Sequence, residues 1–140
     1  MVADFQNMPD VFQRCNIDYF EGKLIFPRFR LLHSFRTCGK FEYIKGGWFD
    51  KTINDPVIKI TNYYDFTQEQ FVDVMVHEMI HYYLAWYGID RRCTHGKEFK
   101  KMAEKLNKTY GLHITKYLNI SEYKKRKGTP ILLYWLAHII

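Results

Sequence analysis

Cysteine is scarce in this sequence. Cys15, Cys38 and Cys93 are odd in number, widely spaced and never in a CxxC arrangement. That pattern argues against a disulfide framework and fits reduced thiols in the cytoplasm. No stretch reaches the roughly 20 consecutive apolar residues that a spanning helix needs, so stable membrane association is not expected. The opening "MVADFQNMPD" has neither a basic n-region nor an apolar h-region, so it does not read as a secretory leader. Internal repeats, low-complexity tracts and Pro/Gly/Ser-rich linkers are also missing, which predicts one domain over residues 1–140. Acidic residues are in deficit, 15 against 21 Lys and Arg, for a net charge of +6. That balance makes a polyanion, DNA first, a candidate partner.

What the chain does have is apolar and aromatic material, 47% and 18% of its residues, enough for a packed core. Met8, Phe12, Cys15 and Tyr19 recur at helical spacing and predict a helix from about Asn7 to Gly22. "PRFRLLHSF" alternates apolar and polar positions as a strand does. "GKFEYIK" and "VIKIT" read as two more strands, joined antiparallel through the turn region "GGWFDKTINDP". "TQEQ" is a capping-box signature at Thr67 and Gln70, opening a helix over about Gln68–Tyr87 with Gly88 placed to stop it. A further helix is expected from about His95 to Tyr110, closed by Gly111. The fold class is therefore α+β, with three main helices packed on a small antiparallel sheet. Residues 121–140 form a basic and then apolar tail; "ILLYWLAHII" fits a strand, a short helix or a partner-binding segment equally.

The segment "VMVHEMIHYYLAWYG" is the informative one. It is apolar on most sides of a helical wheel, the mark of a buried helix. Yet Asp73, His77, Glu78 and His81 gather within a sector of roughly 140°. Buried polar groups without partners cost a few kcal/mol each, so this gathering needs a reason. A divalent metal supplies one. Imidazoles at i and i+4 converge on a point beside the helix, and a glutamate next to the first histidine flanks them without joining them. This is the H-E-x-x-H pattern, two zinc ligands and a general base on one helical face.

Catalytic zinc usually takes a third protein ligand. His95 is the best candidate, because it lies within the apolar stripe of Phe99, Met102, Ala103, Leu106 and Tyr110 and so points inward. Gly96 beside it leaves room for close backbone approach. Glu98, Glu104 and Cys93 are weaker alternatives, and His33 and His113 read as ordinary histidines. A metzincin pattern is excluded, since Leu84 and Tyr87 stand where that motif requires glycine and histidine.

"HEMIHYYLAWYGIDRRCTHGKEF" resembles the SprT-like zinc metallopeptidase family, in which HExxH is followed over a dozen residues later by His-Gly and an aromatic. "FQRCNIDYFEGKL" resembles the family's first helix and its Gly-x-Leu exit, and "CGKFEY" its glycine-containing strand. "IKIT" precedes the active-site helix as it does in the family, so the likeness runs from about Val11 to Thr115. The resemblance implies a zincin-type peptidase with His77, His81 and His95 on Zn2+ and Glu78 as base, acting on protein or peptide substrates. Members such as Spartan cleave proteins crosslinked to DNA. Many relatives continue into a cysteine-rich zinc ribbon, but no cysteine follows Gly111 here, so DNA binding through such a ribbon is not expected of these residues.

The residues expected to meet nucleic acid are instead Arg91, Arg92, Lys97, Lys101, Lys124, Lys125, Arg126 and Lys127. For the oxyanion of peptide hydrolysis, Tyr110, His113 and Arg92 are candidates, and Asp73 is a candidate to orient an imidazole. The rival reading is a zinc-containing DNA- or protein-binding module without hydrolytic activity.

Overall fold

The structure, a computed structural model, describes residues 1–46 and 52–127. Its elements run α1 (Asn7–Phe20), β1 (Arg28–Leu32), β2 (Gly39–Lys45), β3 (Ile53–Thr61), β4 (Tyr64–Asp65), α2 (Gln68–Trp86), α3 (Lys97–Tyr110), a 3-10 turn (Ile120–Glu122) and β5 (Lys124–Lys125). The class is α+β, as the sequence predicts, and the three helices fall within two residues of where the periodicity puts them.

Helix boundaries follow local chemistry. α1 stops where Glu21 and then Gly22 take left-handed backbone, φ 56° and 68°. The exit is then clamped by Asn16, whose side chain donates to the Leu24 carbonyl (2.8 Å) and accepts from the Leu24 amide (3.1 Å). At the start of α2 both capping-box bonds are present: the Thr67 hydroxyl accepts from the Gln70 amide (3.1 Å), and the Gln70 side chain accepts from the Thr67 amide (2.9 Å).

The sheet corrects the sequence reading. Its order is β1-β3-β2, and β1 lies parallel to β3, so the sheet is mixed and not antiparallel throughout. The predicted antiparallel pairing of "GKFEYIK" with "VIKIT" does form, between β2 and β3. β3 takes the centre and is covered on both faces: Ile58 and Ile60 are buried on one, Val57 and Thr61 on the other. β3 also starts earlier than expected and carries Pro56 within a central strand. Pro56 is tolerated because pairing with β1 begins only at Val57 and the β2 register shifts between Glu42 and Ile44, a bulge that relieves the missing donor. The first part of the predicted turn, residues 47–51, lies outside the described residues.

α2 is the spine of the core. Val74, Met75, Val76, Met79, Ile80, Tyr82 and Ala85 have no exposed surface. α1, α3 and the inner face of the sheet all pack on it. The start of the predicted tail is built in: β5 pairs with β4, and the Tyr123 ring packs edge-on against Tyr64 and Phe66 (centroids 5.5 and 5.1 Å). The apolar run "ILLYWLAHII" lies outside the described residues. No helix among the described residues is long and apolar enough to cross a membrane.

Candidate metal centre

His77 and His81 lie one turn apart on α2, and both are buried. His95 reaches them from just before α3. The helix begins at Lys97 with Gly96 as its N-cap, two residues later than the periodicity suggests. The delivering loop is held by Asp90, whose carboxylate accepts from the amides of Arg92 and Thr94 and from the Thr94 hydroxyl. Nε2 of His95 lies 3.0 Å from Nε2 of His77 and 3.1 Å from Nε2 of His81. The three residues form one group able to hold a metal ion.

The residues fit zinc on their own chemistry. Nδ1 of His77 lies 3.0 Å from the Thr115 carbonyl, an acceptor only, so Nδ1 carries the proton and Nε2 presents a lone pair to the centre. Burial, with the neighbouring imidazoles second, pushes His77 down to about 3; burial pushes His81 down to about 4. His95 is also lowered, by burial first and then by the Lys116 ammonium. Neutral imidazoles with lone pairs converging on one point are a cation's donor set. Zinc–nitrogen bonds of about 2.0–2.1 Å in tetrahedral array place nitrogens about 3.3–3.4 Å apart, close to the separations here.

Phe99, at the first turn of α3, makes the hydrophobic wall of the site. Its ring centroid is 4.8 Å from those of His77 and His81 and 4.9 Å from that of His95. The sequence places Phe99 in the apolar stripe but gives no sign that one ring touches all three imidazoles.

Glu78 stands beside the triad and outside it. The side chain is buried, Oε2 has no hydrogen-bond partner, and burial pushes the carboxyl up to about 8. It lies against Gly39 at the start of β2. A Cβ at Gly39 would stand 3.0 Å from Glu78 Cγ, 3.2 Å from Cδ and 3.3 Å from Oε2. The glycine in "CGKFEY" is thus a space for the carboxylate.

The centre opens into a cleft of about 490 Å³. The segment Arg36–Phe41 borders it on one side, and Lys116, Tyr117 and Leu118 also line it. Tyr117 is 75% exposed, its ring centroid 6.2 Å from that of His95. Nothing in sequence spacing singles out Thr115, Lys116 or Tyr117, because they follow α3 in an irregular segment.

Other sequence candidates lie elsewhere. Asp73 accepts from the His113 amide (3.1 Å), with the His113 ring at 3.8 Å, and it is the Thr115 carbonyl that orients His77. Tyr110 packs edge-on against Tyr19 and, with Glu98 and Lys101, lines a separate groove of about 430 Å³ between α1, α2 and α3. Arg92 and Glu104 are exposed and do not line the cleft. Cys93 does line it, with its thiol pushed up to about 11 by burial, but it is not part of the group whose ligand atoms converge. His33 bonds Asn62 (2.9 Å) as an ordinary surface histidine.

The basic residues do not converge. Arg91 and Arg92 follow the C-terminus of α2, whereas Lys124 and Lys125 pair with Asp65 and Tyr64, just before its N-terminus. A 19-residue helix of about 28 Å separates those two groups. Lys97 and Lys101 are exposed on α3, Lys127 is exposed after β5, and Arg126 is half-buried, its amide donating to the Tyr63 carbonyl.

Comparison with curated proteins returns no match. The family model described as SprT-like matches residues 8–123, most of the chain. With its converging histidine trio and its glycine-cradled glutamate, this chain belongs to the SprT-like family.

Proposed function

We propose that this protein is a zinc-dependent metallopeptidase, with His77, His81 and His95 holding the ion and Glu78 acting as general base on protein or peptide substrates. One observation carries the reading: a buried carboxylate with a free oxygen stands beside three converging imidazoles without being one of them. A structural zinc site has no use for such a group. Bound zinc would supply a Lewis acid that polarises a peptide carbonyl and acidifies water.

The chain's own residues do the rest. Thr115 fixes the His77 tautomer, so the imidazole offers its lone pair without rearrangement. Phe99 excludes water from one side of the triad. Burial alone favours the protonated carboxyl, and a dication beside it would favour the carboxylate; in that form Glu78 takes a proton from the attacking water and returns it to the leaving amine. Its unpartnered Oε2 is the atom that receives that proton, and the absence of a side chain at Gly39 lets it sit there.

The test is Glu78→Gln, which keeps shape and hydrogen-bonding capacity but cannot accept a proton. The variant should bind one zinc per chain and lose casein cleavage by a factor of about 10²–10⁴. Cleavage at the wild-type rate would remove Glu78 from its role. Loss of zinc and cleavage together with an unchanged melt would instead make Glu78 part of the metal site. The rival binding module predicts zinc binding in both proteins and chelator-sensitive cleavage in neither.

A further inference from the structure

Among the described residues three cations line the cleft, Arg36, Lys40 and Lys116, and the only carboxylate lining it is Glu78, which is buried at 4% exposure. Lys40 shares its charge with Glu42 at 3.2 Å. Arg36 and Lys116 stand within ion-pair distance of no carboxylate among the described residues. Each is braced on an aromatic ring instead: the Arg36 guanidinium lies 5.3 Å from the Phe35 centroid, and the Lys116 ammonium 5.3 Å from that of Tyr117. A cation held over a ring keeps its position without being neutralised.

The two cations come from separate stretches that both border the cleft. Arg36 belongs to the connection between β1 and β2, whose Ser34 carbonyl accepts from the Thr61 hydroxyl. Lys116 follows Thr115, whose carbonyl faces His77 and whose hydroxyl donates to the Tyr117 carbonyl (2.7 Å). Both charges are thus carried by segments tied to the sheet or to the metal centre. A dication at the floor would add to the same field. A chain lying in this cleft meets positive charge at two points and, among the described lining residues, no accessible negative charge.

We infer that the cleft selects peptides bearing Asp or Glu next to the scissile bond, with Arg36 and Lys116 as the specificity-determining residues. The inference rests on the peptidase reading, and it makes acidic segments of protein the substrate class. A basic segment would bring like charge against both cations, which disfavours it as strongly as opposite charge favours the acidic one. Exposed ion pairs shift an equilibrium about two- to fivefold each, so two acting together separate acidic from neutral peptides by about tenfold.

The experiment uses zinc-loaded Glu78→Gln full-length protein and fluorescein-labelled decapeptides of one backbone, carrying central Glu, Gln or Lys pairs, read by anisotropy. The Glu peptide should bind about tenfold tighter than the Gln peptide and lose that advantage as salt rises. Arg36→Glu with Lys116→Glu should bring the ratio to one or below, with an unchanged thermal melt, since both side chains are on the surface. Equal binding of Glu and Gln peptides, or a ratio unaffected by the double change, overturns the inference. So does a single-stranded oligonucleotide that displaces the Glu peptide at equal charge concentration, because the site would then be a general polyanion surface. Cleavage by the wild-type chain is measured separately: binding preference with no cleavage of any peptide defeats the peptidase reading and leaves the preference standing.

Discussion

Replacing Gly39 by alanine tests the site without touching a ligand or the base. Gly39 is in strand β2, outside the left-handed region, so the backbone accepts alanine and only the new methyl matters. That methyl would stand 3.0 Å from Glu78 Cγ, about half an ångström inside ordinary carbon contact. Glu78 has little room to yield, because Val74, Met75, Met79 and Tyr82 around it on α2 are fully buried. Overpacking of this kind costs about 1–3 kcal/mol of stability. Displacing a catalytic carboxylate by up to 1 Å costs about 10²-fold in rate. The expected result is a zinc content near one per chain, a modestly lower melting temperature and kcat/KM on a peptide substrate down about 10–100-fold. The three quantities are read by metal analysis, differential scanning calorimetry and a fluorogenic cleavage assay. Wild-type kcat/KM in Gly39→Ala would refute the claim that the glycine exists to seat Glu78.

Phe99→Ala should cost about 3–5 kcal/mol in urea unfolding and weaken zinc about tenfold in chelator competition, since one ring supports all three imidazoles; unchanged zinc affinity would deny it that role. Thr67→Ala removes the capping hydroxyl and should lower stability by about 1 kcal/mol with no effect on zinc content. Chelated protein should lose stability as pH falls from about 6.5 to about 3. His77 and His81 stay neutral in the fold down to about 3 and about 4, while the unfolded chain takes up protons near 6.5, so their contribution is full above that value and drains below it; Glu78, raised to about 8, opposes this in part, since its contribution grows as pH falls from about 8 to about 4.5. The loss is on the order of several kcal/mol, and His77→Gln with His81→Gln should flatten it; an equal slope in the double variant would show that other groups drive the loss.

The sequence by itself determined the helices, the class and the histidine pair on α2. Those features depend on contacts within a few residues: a 3.6-residue period, a capping box, a histidine pair one turn apart. His95 was legible for a related reason, because its place in an apolar stripe fixes which way it points wherever its helix begins. Sheet order was not legible. Alternation tells a strand which face is buried and says nothing of which strand lies beside it, so the central place of β3, covered on both faces, and its parallel pairing with β1 exist only in the packed sheet. The same limit hid the surroundings of the metal centre. Gly39, Thr115 and Phe99 meet the HExxH residues from 18 or more positions away along the chain, and their roles exist only where the packed fold brings a gap, a carbonyl and a ring against α2.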